Sequence, residues 1–320
     1  MTTSSTDDAV VFLTHFFDDE VERRLRKLRT ECAGSWQVFA LVEQGVDVPE
    51  EFRAITHFFD YAALRSMARS VIGDSIVPGG GHLRAIDFRR RFPQFRHYWF
   101  IEYDVVYTGD WRRFLKDFAG DESDLIATRL RKFTSDLRWF WGSSFSTGDS
   151  SVTRKDWLIA FLPIHRISAR GIEALERVVA EGWVGHYEIL VPSALAYSGL
   201  GLSDIGGNGP FTPKDRIDRH YYDCRKLRAA GTFRVYPPIR WRPIRNALYH
   251  PCKTPESQPG QRRNAVRPFR QKPAACVFCR LMILRLAILS RLRPSPGTEA
   301  PGASPPPVDS VVASGSGRIR

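Results

Sequence analysis

Short apolar runs, rich in β-branched and aromatic residues, recur through the first 250 residues, and helix-like stretches separate them. "AVVFLTHFF" (Ala9–Phe17), "SWQVFALVEQG" (Ser35–Gly45), "ITHFF" (Ile55–Phe59), "DLIATRL" (Asp124–Leu130) and "DWLIAFLPIHRIS" (Asp156–Ser168) all read as strands. "TFRVYPPIRW" (Thr232–Trp241) is the last extended segment. Between the runs, "DDEVERRLRKLRTEC" opens with acids and ends in bases, which suits a helix dipole. "LRAIDFRRRF" reads as a helix stopped before Pro93. Ser168 is placed to cap "ARGIEALERVVAEG", and "HYEILVPSALAYSG" reads as helical at least after Pro192. This alternation predicts one α/β domain over residues 1–250, a mixed sheet flanked by helices.

The composition changes after Pro251. Residues 251–320 are rich in Pro, Ser, Gly, Ala and Arg and read as a largely disordered tail. They carry 12 Lys+Arg against 3 Asp+Glu, out of 47 against 35 in the whole chain. Most of the net charge of +12 therefore belongs to the tail, and no specific nucleic-acid binding is predicted for the folded part. The apolar island "CVFCRLMILRLAILSRLR" (Cys276–Arg293) has a poor amphipathic face, so weak contact with an anionic membrane is the most it suggests. Five cysteines (Cys32, Cys224, Cys252, Cys276 and Cys279) do not form a disulfide framework, and Cys276-x-x-Cys279 lacks a second ligand pair for zinc. The N-terminus has no basic segment before its apolar run, and no stretch of 18 residues is free of charge, so a cytoplasmic location is expected. Motifs for P-loop hydrolysis, the serine elbow and zincin chemistry are absent from the sequence.

"HYWFIEYDVVYTGDW" (His97–Trp111) begins as a buried strand and then places Glu102 and Asp104 near its end. Two apart on a strand, they share a face at roughly 6.5 Å, where their repulsion is about 2–3 kcal/mol at an effective dielectric of 20. Such a pair needs a cation, an arginine or open water. A hard divalent ion fits, because oxygen ligands suit Mg²⁺ and Mn²⁺. An arginine from "FRRRF" on one carboxylate, with the other facing water, fits as well, and spacing alone does not separate the two.

The same block resembles the Asp-x-Asp region of GT-A-fold glycosyltransferases. More closely, it is similar to a group of bacterial and fungal proteins whose core reads Trp-x-Ile-Glu-x-Asp-Val-x-(Tyr/Phe)-Thr-Gly-x-Trp. The similarity runs over roughly residues 9–251, through "FLTHFFDDE", "PGGGH", "IEYDVVYTGDW", "DLIAT", "GWVGHYEILVPSALAYSGL", "DIGGNGPF" and "ALYHP". It implies a GT-A-like (Rossmann-like) fold and a metal-assisted transfer of sugar from a nucleotide-diphosphate sugar to a hydroxyl acceptor. It also implies roles: Glu102 near the nucleotide, Asp104 on Mg²⁺ or Mn²⁺, and His250 completing the metal shell. Glu in the first acidic place departs from the strict pattern. Glu188, at the start of a helix, matches the position of a catalytic base, or else it simply meets the helix dipole. Lys253 is placed to neutralise diphosphate, and Asp124 either contacts nucleotide or caps a strand. A lone histidine such as His250 reads more readily as a capped surface histidine. The glycines of "DIGGNGPF" serve either close approach to a ligand or a turn. The competing expectation is a non-catalytic, degenerate GT-A core that engages anionic partners through the basic tail.

Overall fold

In the computed structural model, which describes residues 7–68, 72, 79–222, 232–233 and 244–254, the apolar runs join in one seven-stranded sheet. Its strands are β1 (Asp8–Thr14), β2 (Gln37–Glu43), β3 (Thr56–Phe59), β4 (His97–Glu102), β6 (Leu125–Lys132), β7 (Leu158–Ser168) and β8 (Leu202–Asp204). The order is β3-β2-β1-β4-β7-β6-β8. β1 to β4 are mutually parallel, β7 runs antiparallel to β4 and β6, and β8 is parallel to β6. The expected mixed α/β sheet is therefore present. A second, two-stranded sheet, β5 (Val106–Tyr107) with β9 (Leu248–Tyr249), has no counterpart in the sequence reading.

The strands read as near-continuous apolar runs because both sheet faces are covered. Ala9, Val11 and Leu13 of β1 and Tyr98 and Phe100 of β4 point to one face. There they meet α4 (Gly81–Arg91), α6 (Ala169–Ala180) and α7 (Tyr187–Tyr197). Val10 and Phe12 of β1 and Trp99 and Ile101 of β4 point to the other face. There they meet α1 (Asp19–Cys32) and α5 (Trp111–Lys116). α2 (Glu50–Arg53) and α3 (Tyr61–Ser66) are short connectors. Asp18 caps α1 by accepting from Val21 N at 2.7 Å, and Ser168 caps α6 as expected, accepting from Gly171 N at 2.9 Å.

Two local readings gain detail. α7 begins at Tyr187, five residues before Pro192, so the proline lies inside the helix and leaves the Glu188 carbonyl without its usual i+4 donor. The glycines after β8 form a turn: Gly206 N and Gly207 N both donate to Asp204 Oδ1, at 3.0 and 3.1 Å. The tail's disorder, its apolar island, its Cys-x-x-Cys and its membrane contact lie outside the described residues, as does most of "TFRVYPPIRW". Among the described residues no helix is long and apolar enough to cross a membrane.

Candidate functional site

β2 and β3 lie on one side of β1, and β4 lies on the other. Connections that depart in opposite directions leave a crevice outside the carboxyl ends of β1 and β4, where open α/β sheets bind ligands. Glu102 is the last residue of β4 and sits beside Leu13 of β1. The chain then turns, with Val105 N donating to Glu102 O at 2.9 Å. Asp104 is therefore not on the strand face that alternation predicts. It lies in the turn and is 1% exposed. β5 follows and pairs with β9, which delivers His250 to the same place. Cys252 N donates to the Asp104 carbonyl at 2.8 Å. Arg24 of α1 ties the two segments together, its Nη1 donating to Tyr103 O at 2.9 Å and to Cys252 O at 2.7 Å.

The result is a cluster drawn from distant parts of the chain. One ligand atom each from Glu102, Asp104 and His250 lie within 4.8 Å of one another. His250 Nε2 stands 3.5 Å from Asp104 Oδ1 and 3.8 Å from Glu102 Oε2. Lys253 Nζ contacts Asp104 Oδ2 at 2.6 Å, donates to Tyr103 OH at 3.0 Å, and lies over the Tyr103 ring. Tyr187 OH reaches Glu102 Oε1 at 3.5 Å, the outer limit of a hydrogen bond. Burial opposes charge on both acids, but the outcomes differ. Burial, and then the neighbouring Asp104, push the Glu102 carboxyl up. For Asp104 the burial effect is outweighed by His250 and Lys253, which hold its carboxyl well below the usual range. Lys253 moves the matching way: burial would lower it, but Asp104 raises it.

The arginines of "FRRRF" do not neutralise the pair. Arg89 pairs with Glu173, Arg90 with Glu176 and Arg91 with Asp87. Arg84, earlier on the same helix, is near enough to favour the charged form of Glu102.

The residues fit a divalent ion. Both Asp104 oxygens are shielded from solvent, with His250 Nε2 3.5 Å from Oδ1 and Lys253 Nζ 2.6 Å from Oδ2. Two carboxylates and one imidazole converge, a mixed oxygen and nitrogen donor set that a transition ion such as Mn²⁺ accepts more readily than Mg²⁺ does. The Lys253 ammonium already holds one Asp104 oxygen, so an ion would share that carboxylate with it.

Glu188 lies in the first turn of α7 and is buried, next to the Tyr187 that touches Glu102. Burial raises its carboxyl to about 8, helped by the charge of Glu102 and opposed by the Leu162 N–H, which donates to Oε1 at 3.4 Å. His186 caps the helix, its Nδ1 accepting from Glu188 N at 3.3 Å. Asp124 is not brought to this cluster. It precedes β6 at the amino edge of the sheet, level with the start of β4 and roughly 16 Å along the strands from Glu102. There it accepts from Ser168 Oγ at 2.6 Å, from Arg170 Nε at 2.5 Å and from Gly201 N at 3.1 Å. Tyr187, Tyr103, Arg24 and Arg84 escaped the sequence reading. The two short apolar pairs that carry β5 and β9 were its only trace of how His250 arrives.

Residues 11–124 match the model of a family described as "Protein of unknown function (DUF3405)". The matched part contains Glu102 and Asp104 but not Glu188, His250 or Lys253. No curated protein matches the chain. Among solved structures, the chain is similar to a Bacillus anthracis protein described as a glucose-1-phosphate thymidylyltransferase, in complex with sucrose. The two are 9% identical with a TM-score of 0.36, over 62% of this chain and 86% of the other. A likeness of that size carries no argument.

Proposed function

We propose that the chain is a glycosyltransferase that takes a sugar from a nucleotide-diphosphate donor and passes it to a hydroxyl acceptor. One observation carries the reading: Glu102, Asp104 and His250, from two distant segments, converge at the switch point where such a fold receives its ligand. Asp104 and His250 would hold Mn²⁺ or Mg²⁺, with Glu102 beside them near the nucleotide. When bound, that ion supplies positive charge where the departing diphosphate gains negative charge. Lys253, on the rim of the cluster and 35% exposed, orients Asp104 and adds charge facing the diphosphate. Glu188 accepts the proton of the acceptor hydroxyl as it attacks the anomeric carbon. Its carboxyl, raised to about 8 by burial, is matched to that task near neutral or mildly alkaline pH. Asp124 has no part in this arrangement.

A second reading rests on the 2.6 Å contact between Lys253 and Asp104. An acid already neutralised by a lysine needs no metal, and the chain would then be a non-catalytic core of the same architecture. Nucleotide-sugars screened by thermal shift, with and without Mn²⁺, separate the two. The transferase reading expects at least one sugar nucleotide to raise Tm in a Mn²⁺-dependent way, followed by sugar transfer. No shift with any donor, with or without the ion, favours the inert core.

A further inference from the structure

α4 precedes β4 and runs back along it. Its end stands beside the start of β4, where Tyr98 OH donates to Phe92 O at 2.6 Å. Its 11 residues rise about 16 Å, close to the length of β4, so its first turn comes level with Glu102 at the carboxyl edge of the sheet. A close contact bears on the same placement. A Cβ at Gly81 would stand only 3.0 Å from Tyr187 Cδ2 and 3.1 Å from its Cγ, so the glycine lets the start of the helix lie flat on that ring. The hydroxyl of the same tyrosine reaches Glu102 Oε1 at 3.5 Å.

Arg84 follows one turn later. Three apart on a helix, Gly81 and Arg84 share a face, and a long side chain leans back over the turn before it. Arg84 is thereby directed past Tyr187 toward the crevice. Glu102, Tyr187 and His15, the residue just beyond β1, all lie within reach of its charge. Yet among the described residues Arg84 forms no ion pair and no hydrogen bond, and its Nε is shielded from water without a partner. The other arginines of α4 differ, since Arg89, Arg90 and Arg91 are all paired. Asp87, the acid one turn beyond Arg84, is taken by Arg91 and lies 3.7 Å from His57 Nε2. No acid stands in the first turn of α4. An arginine in open water needs no partner, but Arg84 is half-buried, where unmet donors cost stability.

Lys253 approaches from the other face of the sheet. It lies over Tyr103, which packs in the layer of α1 and α5, whereas α4 and Tyr187 belong to the opposite layer. Two cations, one from each layer, therefore flank the carboxyl end of β4. Lys253 is engaged by Asp104, and Arg84 is not. A guanidinium presents its donors as a rigid fork that meets a phosphoryl group with two parallel hydrogen bonds. Cations on both sides of Glu102 and Asp104 suit two linked phosphoryl groups better than a single one.

We propose that Arg84 is a phosphate-binding residue, its guanidinium gripping a diphosphate from the α4 side of the crevice, across from Lys253. That this diphosphate is the donor's rests on the proposed transferase activity. The assignment of Arg84 as an anion site does not, because it stands on an unpartnered, half-buried guanidinium beside Tyr187.

The test is calorimetric titration of the full chain with inorganic pyrophosphate, with and without Mn²⁺, and with orthophosphate as the single-phosphoryl comparison. The wild type is expected to bind pyrophosphate, and to bind orthophosphate about tenfold more weakly or worse. Arg84→Gln should leave Tm and Mn²⁺ affinity undiminished, because no partner is lost, and bind pyrophosphate about tenfold more weakly or worse. Arg84→Lys should recover part of that loss. Arg113→Gln, which removes an exposed arginine of α5, should bind as the wild type does. The assignment is overturned by a wild type that binds no pyrophosphate, by an Arg84→Gln variant that binds it undiminished, or by an equal loss in Arg113→Gln. Orthophosphate bound as tightly as pyrophosphate would overturn the diphosphate span. Loss in Arg84→Gln with no dependence on Mn²⁺ would keep the anion site and count against metal-assisted transfer. Mn²⁺-dependent binding indifferent to Arg84 would do the reverse.

Discussion

Asp104 keeps its charge where water barely reaches, and it does so because His250 and Lys253 face it. Glu102, with less help, is driven toward its protonated form. Acids whose environments pull them apart in this way are frequent at functional sites. Glu188 carries the clearest consequence for pH. Its folded carboxyl sits at about 8, against about 4.3 in an unfolded chain. The native state therefore holds an extra proton between those values, and this contribution to stability is complete below pH 4, then falls as pH rises to 8. Glu188→Gln removes the slope. Urea unfolding at pH 5 and pH 8 should show the wild type losing ~2 kcal/mol or more relative to the variant. If Glu188 is also the base, transfer should rise with pH through about 8 and be lost in the variant. Parallel pH profiles would remove the buried-acid account. Among single residues, the acids announced themselves by an unfavourable juxtaposition in an apolar strand. Tyr187 and Arg24 did not, because contacts between residues far apart in sequence leave no local mark.

At the level of elements, two pieces make the site: the turn after β4 and the segment after β9. Tyr103 and Val105 anchor the first of them in the apolar core. Arg24 joins them, donating to a carbonyl in each while pairing with Glu20. Charged hydrogen bonds of this kind contribute about 1.5–3 kcal/mol. Arg24→Met should therefore lower stability by about 2–3 kcal/mol in urea titrations and weaken Mn²⁺ binding several-fold, while far-ultraviolet circular dichroism stays unchanged. Unchanged Mn²⁺ affinity would show that the two segments hold together without it. The major strands were legible because each is a continuous apolar run buried on both faces, as β1 and β4 are. β5 and β9 were not, since two-residue strands fall below any periodicity. Pro192 left the start of α7 open in the sequence, and packing of Ile189, Leu190 and Ala194 into the core holds the proline inside the helix.

For the whole molecule, the strand order 3-2-1-4 could not be read from composition. It depends on which distant runs pair, yet it is what sets Glu102 at the carboxyl end of β4 beside β1, where the strand order reverses. The charge count places most of the net +12 in residues 251–320, nearly all of them outside the described residues. The account as a whole depends on a divalent ion reaching Glu102, Asp104 and His250 despite Lys253. Electron paramagnetic resonance of free Mn²⁺, titrated with the full chain, tests this most directly. One tight site is expected for the wild type, with a matching rise in Tm. Asp104→Asn should abolish the site while costing about 1–2 kcal/mol of stability, because Lys253 is left facing a neutral amide but remains partly in water. A wild type that leaves all the Mn²⁺ free, or a variant that binds it equally well, would contradict the account.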